Sequence, residues 1–391
     1  MSFDPFGRSR DLAALARDGY ELEITQGGHL LVKSVPLRTA DGRVDHGTFV
    51  TKLAMNGDVT VNPVQDHAAR FIGSAPCDSS GNPLRFVTGT STEQLEPNLV
   101  VDHSMSSKPD PPYADYHHKV TAYVGLIEAQ AKVIDPNVTA RTGGPCLVQS
   151  DDWPFEYVDT ASGRAGIGAI SAKLSDQTVA IVGLGGTGSY LLDLVAKCPV
   201  ATIHLFDGDQ FSTHNAFRAP GAASLEQLRT GSFKVDYLRS IYANMKRNIV
   251  AHPYDVSVAN AEELRGMSFV FLAMEGGAVK RELVATLEQM GLTFVDCSVG
   301  VVKPEGSDVL LATVQVAAST PDNRDLLHAK VDFGAVNDDD PYAENIQVAE
   351  LNALNATMAV LWWKRHAGVY HSSAPSHYQR INVAFNRMLS E

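Results

Sequence analysis

The sequence predicts an α/β protein: a Rossmann-like, doubly wound, mostly parallel sheet, preceded by a smaller α+β domain. Three observations carry this. Beyond about residue 150, the apolar runs "QTVAIVG", "ATIHLF", "SFVFLAM" and "TFVDCS" alternate with helical patterns, and such alternation gives parallel strands with helices on both faces. The first run ends in the glycine-rich turn "GLGGTGS", which opens a helix. The length of 391 residues exceeds that of one compact domain, so about two are expected. The boundary is placed near 150, between domains 1–150 and 151–391.

The elements follow in order. An alanine- and leucine-rich helix covers about 9 to 18 and stops at Gly19. "YELEITQGGHLLVKSV" reads as a hairpin around Gly27 and Gly28, and "GTFVTKLAMNGDVTVNP" as a second around Asn56-Gly57. Residues 95 to 112 read as loop, because "SMSSKPDPPYAD" is rich in serine, proline and aspartate. "YHHKVTAYVGLIEAQAKVI" gives a helix with Val120, Val124 and Ile127 on one face. After the boundary come strand "QTVAIVG", a helix over 187–197, strand "ATIHLF", helix "SFKVDYLRSIYANMKRN", strand "SFVFLAM", helix "VKRELVATLEQM" and strand "TFVDCS". "DVLLATVQVA" reads as an antiparallel extended run. A long helix from about 345 to 366 closes the chain, with Leu351, Leu354, Met358 and Leu361 on one face and Trp362 and Trp363 as packing residues.

Composition narrows the function. With 44% hydrophobic and 20% charged residues the chain is that of a globular protein with a substantial core. A net charge of -13 without a basic run argues against nucleic-acid binding. The start lacks the apolar core of a signal peptide, and no segment reaches the length of a membrane span. A cytoplasmic location is therefore expected.

Gly183, Gly185 and Gly188, with Gly186 between them, fit G-x-G-x-x-G between a strand and a helix. The first permits the tight turn, the second lets backbone approach phosphate, and the third lets helix and strand pack closely. The helix N-terminus then favours an anion. Asp207, 19 residues after Gly188 at the end of the next strand, stands where a carboxylate accepts from ribose hydroxyls in both NAD and ATP sites. The next block, "DGDQFSTHNAFRAPG" and then "SFKVDYL", concentrates Asp207, Asp209, Asn215, Arg218 and Lys234. These are tools for a triphosphate: a bidentate fork, a compact charge and a neutral donor, able to neutralise charge as pyrophosphate leaves. Glu275, at the carboxyl end of "FVFLAM" beside two glycines, is a candidate Mg²⁺ ligand.

The run "VAIVGLGGTGSYLLDLVAK", then "IHLFDGDQFSTHNAFR", then "FK", resembles the adenylation domain of the ThiF/MoeB/HesA and E1 ubiquitin-activating superfamily, over roughly 155 to 365. The resemblance implies ATP and Mg²⁺, with Asp207 on the ribose, Asn215, Arg218 and Lys234 on the triphosphate and Glu275 in the metal-binding acid position. Arg164 is similar to the family's N-terminal arginine, which in homodimers reaches the partner's ATP site. Implied partners are a ubiquitin-like modifier or sulfur-carrier protein, whose C-terminal carboxylate is adenylated, and an E2-like acceptor. With its N-terminal extension the chain looks most like bacterial E1-like proteins of ubiquitin-like conjugation operons; the extension is a candidate docking domain. Three features depart from the pattern. Glu275 replaces the usual aspartate, Ala219 stands where glutamine often follows the arginine, and no cysteine follows Cys297 to take the acyl group as a thioester.

Cys198 and Cys297 read as structural thiols, whereas Cys77 and Cys146 lie in turn-like segments open to solvent. Their spacing, without C-x-x-C, argues against a zinc site or disulfide framework. "VDHS" at 101–104 is too compact for a hydrolytic triad, and His117 and His118 point apart on a helix. Two further readings of the glycine turn remain at this stage: an NAD-dependent oxidoreductase and a nucleotide-binding pseudoenzyme scaffold.

Overall fold

The computed structural model describes residues 3–61, 66–148, 153–331, 333, 346–374 and 376–391. The chain forms two compact units, Met1–Ala172 and Lys173–Glu391. The boundary expected near 150 falls on 149–152, outside the described residues, as does the expected start of the last helix at 345.

The first unit opens with helices α1 (Pro5–Arg8) and α2 (Arg10–Arg17). Strands β1 (Leu22–Ile24), β2 (His29–Arg38) and β3 (Val44–Lys52) follow, then a two-residue hairpin of β4 (Met55–Asn56) and β5 (Val59–Thr60). Strands β6 (Ala68–Ile72), β7 (Val87–Glu96) and β8 (Leu99–Ser106), helix α3 (Tyr116–Lys132) and strand β9 (Cys146–Val148) complete a seven-stranded sheet, ordered β7-β8-β6-β3-β2-β1-β9. Helices α4 (Thr160–Ala165) and α5 (Gly168–Ser171) come last. Both expected hairpins are present, with Gly28 and Gly57 in the left-handed region at their turns. The Asp115 carboxylate caps α3 by accepting from the His118 N–H. Val120, Val124 and Ile127 are fully buried in one core with Phe49 and Phe71 of the sheet.

The stretch expected as loop from 95 to 112 is instead largely strand. β7 runs to Glu96 and β8 pairs antiparallel with both β7 and β6. Leu99, Val101, His103 and Met105 alternate inward; the polar residues between them lie on the other face, so the period of two was obscured by their composition.

The second unit is built on β10 (Thr178–Val182), α6 (Gly186–Val195), β11 (Thr202–Phe206), α7 (Thr213–Ala216), α8 (Leu225–Arg229), α9 (Lys234–Tyr242), β12 (Ile249–His252) and β13 (Phe269–Leu272). It continues through α10 (Ala278–Gln289), β14 (Phe294–Val302), β15 (Leu311–Ser319), α11 (Asp325–Lys330), α12 (Ala349–His366), β16 (Tyr378–Asn382) and β17 (Arg387–Ser390). The eight-stranded sheet is ordered β12-β11-β10-β13-β14-β15-β16-β17. Its first five strands are parallel and β14 to β17 antiparallel, as the doubly wound, mostly parallel expectation requires. The chain does not close on the long helix: β16 and β17 extend the antiparallel edge after it. On α12, Leu351 and Met358 are buried as expected, but Leu361 is exposed and Trp362 and Trp363 take the core positions. Residues 362 and 363 adjoin Phe269 and Phe271 of β13, so the indoles turn the buried stripe by one residue. The helix expected from Ser232 begins at Lys234, because Phe233 is bridged to Gln210 in extended conformation. Among the described residues no helix is long and apolar enough to cross a membrane.

Candidate functional site

Strand β10 has β11 on one side and β13 on the other, and the connections leave in opposite directions. This is the switch point at which open α/β sheets bind ligands beyond the strand ends. Register aligns those ends: Val182 faces Phe206 and Leu272. Gly183, Asp207 and Ala273 therefore emerge together.

The glycine turn is built by contact. Gly183 has φ +87, and a Cβ there would meet the Ala273 carbonyl oxygen at 2.6 Å; a Cβ on Gly188 would lie 1.8 Å from the Gly183 carbonyl oxygen. At Gly186 the obstacle is the Asn352 amide, 1.9 Å from the Cβ position. A Cβ on Gly185 would meet nothing within 4 Å. Gly185 caps α6 without a side-chain acceptor, so the first N–H groups of the helix are left to an incoming anion.

Asp207 is buried and accepts from the Leu184 N–H at 2.6 Å and the Asp209 N–H at 2.9 Å. These bonds splint the glycine turn to the end of β11. Lys234 is buried beside it, with Nζ 3.2 Å from Asp207 and 2.6 Å from Asp209. The loop and the start of α9 are zipped together by the Gln210–Phe233 bridge and by the Lys234 N–H donating to the Asp209 carbonyl. Phe211 stacks on Tyr237 at 3.9 Å and anchors the loop in the core.

Asn215 is buried within α7. Its Oδ1 accepts from the Ser212 N–H and hydroxyl, each at 2.9 Å, and its Nδ2 has no partner. Arg218 follows one turn on, and its buried Nε is likewise unpartnered. Burying an unpaired donor is costly, so both groups fit an anionic ligand better than the protein alone.

Gly183, Gly185, Gly186, Thr187, Asp207, Asp209, Arg218, Lys234 and Glu275 line one cleft of about 1150 Å³, which runs on across β14 and β15 to Arg380 and Phe385. Of the residues expected at the site, Asn215 flanks this cleft through α7 and Gly188 lies beneath the turn. Glu275 is exposed on its wall. Among the described residues no three His, Cys, Asp or Glu side chains cluster as a metal site. Arg164 is exposed on α4 of the first unit, where its carbonyl accepts from Lys52 Nζ at 3.3 Å.

Among the cleft residues not foreseen, Lys280 and Asn352 stand out by their burial. Lys280 of α10 is buried, ion-paired with the buried Asp296 of β14, and donates to the Met274 carbonyl at 3.2 Å, next to Glu275. Ser298 completes the cluster by donating to Asp296 at 2.9 Å. The signal available in the sequence was a lysine within an otherwise apolar helix face. Asn352 reaches the glycine turn from α12, 165 residues downstream, and nothing local marked it.

The four cysteines form no disulfide. Cys198 and Cys297 are buried, as expected. Cys77, expected in an open turn, is buried too, because its Sγ and backbone are enclosed by the Cys77–Pro83 bridge and the N–H bond to Arg38. Cys146 is half-buried in β9. Burial raises the thiol pKa of Cys77, Cys146 and Cys297 above the ordinary value, the reverse of an activated nucleophile.

Comparison with known proteins matches residues 10–160 to a Domain of unknown function (DUF6791) and residues 163–319 to the ThiF family. The chain is 24% identical over 169 residues to Ubiquitin-like modifier-activating enzyme 5 of Bombyx mori, covering 40% of this chain and 42% of that protein. It is 30% identical over 88 residues to the Drosophila persimilis protein of the same name, 22% of each. The chain thus spans less than half the length of these curated relatives. Among solved structures, PaaA is similar with a TM-score of 0.45 and 18% identity, over 57% of this chain and 65% of that one. E. coli MccB with ATP has a TM-score of 0.41 and 13% identity, over 57% and 65%. Residues 163–319, which carry the glycine turn, Asp207, Asn215, Arg218, Lys234 and Glu275, are a ThiF-family domain.

Proposed function

We propose that this protein is an E1-like adenylyltransferase that uses ATP to activate the C-terminal carboxylate of a ubiquitin-like or sulfur-carrier protein. The observation that carries the reading is the set of buried cationic and amide groups around the glycine turn: Lys234, and the unpartnered Arg218 Nε and Asn215 Nδ2. A dinucleotide needs the ribose carboxylate there, and three further donors match a triphosphate. In this reading Asp207 takes the ribose while Lys234 shifts from the two aspartates to the phosphates.

The C-terminal carboxylate of the ubiquitin-like or sulfur-carrier partner attacks the α-phosphorus, the bond from that phosphorus to the oxygen bridging it to the β-phosphorus breaks, and pyrophosphate leaves with the charge that Arg218 and Lys234 neutralise. Glu275, exposed on the cleft wall, is the residue that would hold a Mg²⁺ beside the phosphates. When bound, Mg²⁺ supplies charge neutralisation on the phosphates. The acyl-adenylate is then opened by an outside nucleophile such as the thiol of an E2-like protein, with AMP leaving. The buried cysteines support this direct transfer. Arg164 of the partner subunit completes the site in a homodimer.

The test is ATP–pyrophosphate exchange with candidate ubiquitin-like proteins. Exchange is expected only with a partner whose C-terminus is intact, and Arg218→Ala, Lys234→Ala and Glu275→Ala should each reduce it by about 10²-fold or more, the usual loss for one charge-stabilising group. Mixing Arg164→Ala with Arg218→Ala subunits should restore part of the rate. Selective binding of NAD, or no binding of ATP, overturns the reading.

A further inference from the structure

We infer that Asn352 of α12 is a phosphate-binding residue of the nucleotide cleft, donating its side-chain amide to the polyphosphate from beneath the glycine turn. The inference rests on the ATP reading of the cleft and adds a group that lies outside the matched ThiF-family segment, which ends at residue 319.

Asn352 is 1% exposed, lines the cleft, and sits where its amide would collide with any side chain on Gly186, the first residue of α6. The Thr187 hydroxyl donates to Oδ1 at 3.3 Å, which turns Nδ2 away from Thr187, and Nδ2 has no partner. An amide with an unpaired donor, buried in the first turn of an 18-residue helix whose core face also carries leucine, methionine, alanine and tryptophan, is a costly choice for packing alone. Asn355, one turn on, differs in its donor: its Nδ2 bridges the carbonyls of Ser298 at 3.2 Å and Gln315 at 2.7 Å, and the group left unpaired is the acceptor Oδ1.

The second observation is where the unpaired donors lie, because the acceptors of the second unit that lack a hydrogen bond, Asp296 Oδ1 (ion-paired with Lys280), Asn355 Oδ1 and Gln379 Oε1, belong to residues outside the cleft lining. Among the described residues of the second unit, the buried side-chain donors without partners are Asn215 Nδ2, Arg218 Nε and Asn352 Nδ2. Two belong to the loop that carries the phosphate-binding candidates, and the third stands against the helix N-terminus beside them. A ligand with several anionic oxygens is the chemistry that satisfies all three together with the free N–H groups of α6. Asn352 fits because it is neutral: it donates without adding charge to a site that already holds Lys234 and Arg218.

The test compares wild type, Asn352→Ala and Asn352→Asp for binding of ATP and of adenosine, which has no phosphate, with thermal melting in the absence of ligand as the folding control. The aspartate is isosteric and places anionic oxygen against phosphate. Both variants should bind ATP more weakly, Asn352→Asp by about tenfold or more as expected for a bond to a charged group, with adenosine affinity unchanged. Equal weakening of ATP and adenosine, or unchanged ATP affinity in folded variants, overturns the assignment. A structure of the wild-type protein with a non-hydrolysable ATP analogue decides the same point without a variant: Nδ2 lies within hydrogen-bond distance of a phosphate oxygen, or the assignment is wrong. If the wild-type protein binds no ATP, the ATP reading itself fails; if it binds ATP and the variants match it, only the role of Asn352 does.

Discussion

At Gly188 the smallest possible side chain would press on the Gly183 carbonyl at 1.8 Å, and that carbonyl belongs to the backbone of the turn. Gly188→Ala must therefore move α6 or reshape the turn, and we expect it to cost about 1–3 kcal/mol as an overpacked contact and to abolish nucleotide binding; melting and ATP titration check the two separately. Lys280 poses the opposite problem. It and Asp296 are both buried, so Lys280→Met leaves a carboxylate without its counter-charge. The expected loss is about 3–5 kcal/mol, read by denaturant unfolding, with most of it recovered in the double variant Lys280→Met/Asp296→Asn. Since Lys280 also holds the Met274 carbonyl beside Glu275, the double variant should still show impaired pyrophosphate exchange. Asp207, Asn215, Arg218, Lys234 and Glu275 were legible as candidates in the sequence because they lie at strand ends or between β11 and the start of α9, where composition and spacing carry the chemistry. Lys280, Asp296 and Asn352 were not legible, because each acts across elements distant in sequence.

The edge of the parallel sheet carries a feature that belongs to a pair of strands. His204 on β11 and His252 on β12 face each other with ring nitrogens 3.0 Å apart, and His252 continues to Tyr254 at 2.9 Å and through it to Glu263 at 2.6 Å. The pKa of each imidazole is lowered, in both cases first by burial, then for His204 by the charge of its neighbour. In the unfolded chain both take up protons near pH 6.5, while the folded pair resists. Below that pH the unfolded state binds more protons, so stability is complete at pH 7 and above and falls as the pH drops from about 6.5 through the lowered folded values. The melting temperature of wild type should fall more steeply between pH 7 and 5 than that of His204→Phe, whose ring still packs beside Phe206; equal slopes would dismiss the pair as a source of acid sensitivity. The element pattern of this half was readable because strands buried on both faces are continuous apolar runs. β8 was misread because one of its faces is polar, and β12, β16 and β17 were missed because β12 is only four residues long and β16 and β17 are short and largely polar or exposed.

For the molecule as a whole, the cysteine map bears on the direct acyl transfer of the proposed function. None of the four thiols combines exposure with a lowered pKa. A variant in which all four are replaced by serine or alanine, Cys297→Ala included, should keep partner-dependent pyrophosphate exchange and acyl transfer to an acceptor, and wild type should accumulate no thioester-linked partner on non-reducing gels. A thiol-sensitive adduct on any one cysteine contradicts direct transfer. The sequence by itself determined the α/β class of the second half, the antiparallel run after the parallel strands and the identity of the nucleotide-site candidates, since these depend on local periodicity and on residues adjoining a strand end. Only the tertiary structure decided that Cys77 is enclosed, that Lys234 stands between Asp207 and Asp209, that Lys280 and Asn352 line the cleft, and that Asp296 pairs with Lys280 behind it. Burial and side-chain pairing are set by which elements the fold brings together, and contacts between residues as far apart as Thr187 and Asn352 leave no local pattern in the chain.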